Sequence, residues 1–73
     1  MNRIGALGET AKVEGYALAG ALVFPADRST EIDAAWTQLP DDLAVLILTP
    51  VAAAELGTRL GDRPHLLSVV MPE

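Results

Sequence analysis

The fold of this chain is decided by the stretch LAVLILTP, residues 43–50. Its first six residues, Leu43–Leu48, are all apolar, which is typical of a short strand covered on both faces. Thr49 is a residue type that caps helices and Pro50 suits a first helical turn, so we expect a helix immediately after the strand. A strand of this kind that leads straight into a helix predicts a parallel α/β sheet with the strand near its centre.

Length and charge limit the classes of protein to which the chain can belong. Seventy-three residues predict a single domain, 1–73, with a marginal core, because folding at this size buries roughly 60% of the chain's surface. The net charge of −5 argues against nucleic-acid binding, which needs a basic surface. The absence of cysteine excludes disulfides and thiolate metal sites. No apolar run approaches the ~20 residues of a membrane span and no signal peptide is evident, so we expect a cytoplasmic domain without direct membrane insertion.

Three further strands and three helices are expected around the central strand. Apolar periodicity and turn residues set their limits. The predicted strands are 3–7, 21–24 and 66–71, and the predicted helices are 10–19, 29–39 and 51–60. Thr10 is the expected N-cap of the first helix and Gly20 its closing residue, while Pro25 suits an edge strand.

Helical spacing predicts which side chains face the sheet. Gly15 in the first helix should be compensated by close packing against the sheet, since glycine costs about 1 kcal/mol in a helix interior. The inward positions are Ala11, Gly15, Leu18 and Ala19 in the first helix, Ile32, Ala35, Trp36 and Leu39 in the second, and Ala53, Leu56, Gly57 and Leu60 in the third.

The element order βαβαβαβ predicts the topology of the sheet. Right-handed crossovers with an interior 43–48 strand give a four-stranded parallel sheet of order 2-1-3-4, a Rossmann-like or receiver-like α/β fold. The first helix then lies on one face of the sheet and the other two lie on the opposite face. One helix cannot cover a whole face, so we expect an apolar patch over the third and fourth strands, covered by another protein or by a second copy.

The crevice beyond the strand ends is the place for chemistry in such a sheet, and Gly8-Glu9-Thr10 and Thr49-Pro50 should line it. No histidine or lysine is evident there, and the GALG stretch at 5–8 matches neither a dinucleotide-binding nor a Walker pattern. A phospho-accepting receiver domain would have an aspartate in place of Thr49. We therefore predict no catalytic, cofactor-binding or metal-binding residue, and interpret Gly8-Glu9-Thr10 as a tight strand-to-helix turn.

The remaining notable side chains have structural interpretations. His65 lacks spaced metal-ligand partners and should lie at the surface before the last strand, and Asp41-Asp42 should form a solvated turn. Trp36 belongs to the core, whereas Arg59 and Arg63 are expected to be solvated. Tyr16 lies off the apolar stripe of its helix, which favours a half-buried or partner-facing position.

Three segments together resemble the F subunit of the V-type/A-type rotary ATPases. The first, at 4–20, carries IG, then GET and then GYALAG, and the second is AVLILT at 44–49 with Ala52. The third is Pro64 leading into the apolar run 66–71 and then Pro72. The chain departs from the family in its glycine-rich first strand, and it resembles a short form lacking the C-terminal helix that members carry after the final proline.

The resemblance implies a non-catalytic central-stalk protein, peripheral to a membrane ATPase complex. Such a protein docks on the coiled-coil rotor subunit (D-like) and helps to couple ATP turnover to rotation and ion transport, without a cofactor. We predict partner contacts at Tyr16, Leu67, Val69 and Met71, with a homo-oligomer through the bare sheet face as a second use of the same surface. The alternative is a stand-alone regulatory α/β domain that binds a small anion or nucleotide at Gly8-Glu9-Thr10.

Overall fold

A computed structural model describes residues 3–72 as a four-stranded sheet with helices on its two sides. The strands are β1 (Arg3–Gly8), β2 (Leu22–Pro25), β3 (Leu43–Leu48) and β4 (Leu67–Val70). The α-helices are α1 (Thr10–Val13), α2 (Ser29–Thr37) and α3 (Pro50–Leu56), and 3-10 helices follow α1 at Glu14–Ala19 and α3 at Gly57–Asp62. Across residues 3–72, no helix has the length and apolar character that crossing a bilayer requires.

All strands pair in parallel in the order β2-β1-β3-β4. This confirms the predicted strand order and the central position of β3. The register across β3 and β4 pairs Leu46 with Ser68 and Leu48 with Val70. Since successive side chains of a strand point to opposite faces, these residues share one face of the sheet, and Val45, Ile47, Leu67 and Val69 share the other.

The core lies between the sheet and the helix pair α2–α3, on what we call the helical face. Leu7, Leu46 and Leu48 of the sheet are fully buried in one cluster with side chains of α2 and α3. Ile32, Trp36 and Leu39 are buried and Ala35 is half-buried, as predicted from their helical spacing. Burial of this apolar surface is the main stabilising term in a chain of this size.

The prediction that β3 is covered on both faces is only half right. Leu43, Leu46 and Leu48 are buried, whereas Val45 and Ile47 on the opposite face are half-buried. On that second face, α1 and the 3-10 helix that follows it pack mainly against β1 and β2. The apolar run therefore continues across a face that the described part of the chain covers incompletely.

The first helix differs most from its prediction. Its α-helical part ends at Val13, and the predicted inward stripe is wrong: Ala11, Gly15, Leu18 and Ala19 are all exposed. The 3-10 helix has three residues per turn, so the fully buried Val13 is followed three positions later by the half-buried Tyr16. Close packing does not compensate for Gly15, since a Cβ there would meet no atom within 4 Å. Gly20 ends the segment in the left-handed conformation, φ 88°, as predicted.

Smaller differences lie at other element ends. The third helix changes to a 3-10 helix at Gly57, which is exposed with φ +51° rather than inward-facing. Leu56 is buried as predicted, and the predicted Ala53 and Leu60 are half-buried against the core. Ala52 is fully buried in addition. Helix ends depend on packing as much as on local sequence, which is why these limits differ by a few residues.

Candidate functional site

The face of the sheet opposite α2 and α3 is apolar and partly uncovered; we call it the open face. Strand register places side chains from β1, β3 and β4 side by side in two rows across it. One row is Ile4, Val45 and Leu67, and the other is Ala6, Ile47 and Val69. Ile4, Leu67 and Val69 are 50%, 61% and 44% exposed. Contiguous apolar surface of this kind marks interaction sites on proteins.

A cleft of about 500 Å³ adjoins the open face, since Ile4 and Ile47 line both. Tyr16 and Ala19 of the first 3-10 helix form its other wall. A tyrosine at such a position offers an apolar ring and a hydroxyl that can hydrogen-bond. The cleft is thus a recess into which an apolar side chain of another molecule can fit.

The four predicted partner contacts lie around this surface. Leu67 and Val69 are on the open face, and Met71, half-buried, follows them in the same alternation just after β4. Tyr16 lines the adjoining cleft. That these residues touch a partner remains a prediction. The sequence does not indicate that Ile4 belongs to this surface. Ile4 pairs with Val45 only because the register of β1 against β3 shifts between Arg3 and Ile4.

An ion pair lies at the start of β1, beside the cleft. The Arg3 guanidinium, which also lines the cleft, contacts the Asp42 carboxylate with Nε–Oδ2 and Nη2–Oδ1 distances of 2.7 Å. The hydrogen bond to Asp42 raises the pKa of Arg3 and lowers the pKa of Asp42. Asp42 thus belongs to an exposed turn, as predicted, with an ionic partner that the sequence did not reveal.

The predicted crevice at the carboxyl ends of the strands is closed by its own side chains. Thr49 is fully buried; its hydroxyl donates to Glu9 Oε1 at 2.5 Å and accepts from the Ala52 amide at 3.3 Å. This confirms Thr49 as the cap of α3. The pKa of Glu9 is lowered mainly by this hydrogen bond from Thr49. Gly8 is required here, since a Cβ would overlap the Thr49 side chain.

The backbone at Gly8-Glu9-Thr10 is also occupied. Asp27 accepts hydrogen bonds from the Thr10 hydroxyl at 2.7 Å and from the Thr10 amide at 3.0 Å, and both lower the pKa of Asp27. Glu9 rather than Thr10 takes the N-cap position of α1, and no side chain caps it. An anion would have to displace Asp27 and approach Glu9, so this geometry argues against the anion-binding alternative.

The remaining candidates are structural. Trp36 is in the core, and the Arg63 guanidinium lies 5.1 Å from the centroid of its ring and donates to its carbonyl at 3.0 Å. Arg59 pairs with Asp33 of α2 and with Glu55 of α3, at 3.7 Å from the latter. Both arginines thus contact groups on neighbouring elements, which the sequence did not indicate, while the Arg59 side chain remains 40% exposed.

His65 and the acidic side chains are the residue types of this chain that could hold a metal ion. His65 is exposed before β4, as predicted. Among residues 3–72, no three histidine, aspartate or glutamate side chains lie together as metal ligands would. What the described side chains do form is the apolar surface of the open face.

Comparison with known proteins shows which solved structure this fold is similar to. No family model matches the sequence, and no curated protein matches it. Among solved structures, the fold is similar to the crystal structure of the F subunit of the V-type ATP synthase from Archaeoglobus fulgidus, with a TM-score of 0.57 and 25% sequence identity over 93% of this chain and 96% of that chain. Together with the parallel sheet of order β2-β1-β3-β4, this likeness supports the resemblance to the F subunit of the V-type/A-type ATPases that the sequence indicates.

Proposed function

We propose that this protein is a non-catalytic central-stalk subunit of a V/A-type rotary ATPase, held to the coiled-coil rotor subunit through its open face. The observation that carries the proposal is the pair of apolar rows across β1, β3 and β4, in which Ile4, Leu67 and Val69 are about half exposed. The similarity to an ATP synthase F subunit suggests the kind of complex, and the open face is the surface through which the protein would bind within it.

The dimensions of the open face fit a helix of a coiled coil. Three neighbouring strands spaced about 4.8 Å apart make a strip roughly 10 Å wide, which is close to the ~10–12 Å diameter of a helix with its side chains. The cleft beside Tyr16 can take a side chain that projects from the edge of that helix. Each exposed aliphatic side chain that becomes buried on docking contributes up to about 1–3 kcal/mol.

Docking of this kind explains how a protein without a reaction centre serves an ATPase. A compact sheet fixed to the rotor adds a rigid body that turns with it, and so helps to couple ATP turnover to rotation and ion transport. The net charge of −5 disfavours adsorption to anionic lipid, so we place the protein on the cytoplasmic part of the complex, peripheral to the membrane.

Titration calorimetry with the purified rotor subunit of the same ATPase tests the proposal. Leu67→Asp places a carboxylate in the middle of the apolar contact and should weaken binding at least about tenfold. Leu18→Asp is the matched control, because Leu18 is 95% exposed on the first 3-10 helix and its substitution should leave the affinity within about twofold. Circular dichroism checks that both variants fold. Absence of binding by the wild type, or equal affinity for both variants, would contradict the proposal.

A further inference from the structure

We propose that the free edge of β4 pairs antiparallel with β4 of a second copy of this chain, forming a two-fold dimer with one continuous eight-stranded sheet. β4 is the last strand in the order β2-β1-β3-β4. Its side chains are exposed on both faces of the sheet, with Leu67 and Val69 on the open face and Val70, 50% exposed, on the helical face. The pairing uses backbone groups of the strand edge and is independent of docking on the open face.

The two edges of the sheet are protected very differently. β2 ends at Pro25 and packs against the first 3-10 helix. β4 has no proline within it, and the segment 64–72 has no lysine, arginine, aspartate or glutamate. Charges, prolines and covering helices are the devices by which proteins prevent edge pairing, so β4 lacks the protection that β2 has.

The backbone of β4 offers the right groups for this pairing. The Met71 amide donates to the Leu48 carbonyl at 2.7 Å, so alternate residues are directed toward β3 and the N–H and C=O of Ser68 and Val70 point to the free edge. An antiparallel register with Ser68 opposite Val70 of the second copy joins these groups by four hydrogen bonds. Pro72 has no N–H and ends the ladder.

The same register is complementary in its side chains. The two-fold axis passes beside Val69, which faces its own counterpart, while Leu67 faces Met71 of the second copy. Each cross-strand pair of this kind contributes roughly 0.2–1 kcal/mol. None of the side chains that this register places opposite one another is charged, so they do not repel each other electrostatically. A second copy of the chain therefore provides both the hydrogen-bond partners and the apolar side chains that the edge of β4 needs.

Disulfide trapping in the full chain tests both the pairing and its register. The chain has no cysteine, so Val69→Cys introduces a single thiol at the axis. Opposed residues of a pair that exchanges no hydrogen bonds lie with Cα atoms about 4.5 Å apart, within the range of a disulfide. Leu67→Cys is the matched control on the same face, about 13 Å from its counterpart by strand geometry.

Oxidation should convert Val69→Cys largely to a covalent dimer and leave Leu67→Cys monomeric. Equal trapping of the two variants would indicate face-to-face association and overturn the proposal, as would the absence of a Val69→Cys dimer. Mixing Leu67→Cys with Met71→Cys should restore trapping, because these positions are opposed in the proposed register.

Sedimentation equilibrium provides a test without cross-linking. Val70→Lys places an ammonium group on the edge and should weaken the dimer at least about tenfold. Val51→Lys makes the same change at a side chain of α3 with similar exposure, 54%, and should leave association unchanged. A wild type that stays monomeric at protein concentrations up to about 1 mM would overturn the proposal.

Discussion

The two faces of this sheet are built from the same strands but are covered to different extents. On the helical face, Leu46 and Leu48 of β3 are completely buried under α2 and α3. On the open face, Val45 and Ile47 of the same strand are half-buried, because α1 is a single turn of α-helix and its 3-10 extension packs on β1 and β2. An apolar run such as residues 43–48 thus indicates apolar surroundings without telling whether the same chain or a partner supplies them.

The largest expected difference between the faces is in stability. Leu48→Ala leaves a cavity in the core and should lower the free energy of unfolding by about 2–5 kcal/mol, much of the total expected for a chain of this length. Leu67→Ala makes the same change on the open face, where the side chain is mostly exposed, and should cost less than about 0.5 kcal/mol. Urea unfolding measures both; similar losses would mean that the open face is packed in the free protein.

Two glycines sharpen the comparison between tightly and loosely packed regions. Gly8→Ala drives a methyl group into Thr49 at the junction of β3 and α3 and should destabilise the fold by about 3 kcal/mol. Gly15→Ala meets open space on the first 3-10 helix and should be neutral or stabilising by up to about 0.5 kcal/mol. Thermal denaturation of the two variants distinguishes them, and a stable Gly8→Ala protein would show that Thr49 can move aside.

The smallest expected effect concerns the Glu9–Thr49 hydrogen bond, which joins the ends of β1 and β3. It lowers the pKa of Glu9 in the folded protein, so its stabilisation is present above the unfolded pKa and is lost as the pH falls through the folded one. Glu9→Gln should therefore be less stable than wild type at pH 7, with a difference that shrinks below about pH 4. Glu14→Gln, at an exposed position, is the control. A Glu9→Gln difference that is the same at both pH values would contradict this account.

Much of the fold could be predicted because it depends on local signals. The apolar run of β3, the cap at Thr49 and the helical spacing of Ile32 and Trp36 each determine a nearby element, and right-handed crossovers then order the strands. The predicted bare patch agrees with the exposure of Leu67. These features need no knowledge of long-range contacts.

The errors arose where distant residues decide the structure. The first helix becomes 3-10 after Val13, and nothing in the sequence indicates that Leu18 will be left in solvent. The ion pair of Arg59 with Asp33 of α2 joins residues 26 positions apart, so local sequence does not indicate it. The hydrogen bond from the Thr10 amide to the Asp27 carboxylate joins residues 17 positions apart and could not be predicted for the same reason. Tertiary contacts override local preference at such positions.

Methyl NMR during titration with the rotor subunit tests the central claim most directly. We predict that methyl signals of Ile4, Ile47, Leu67 and Val69, on the open face, shift or broaden as the rotor subunit is added. Signals of Val51, an exposed residue of α3 on the other side of the sheet, should stay unchanged. Perturbation of Val51 with no change at Ile4, Ile47, Leu67 and Val69 would contradict the account.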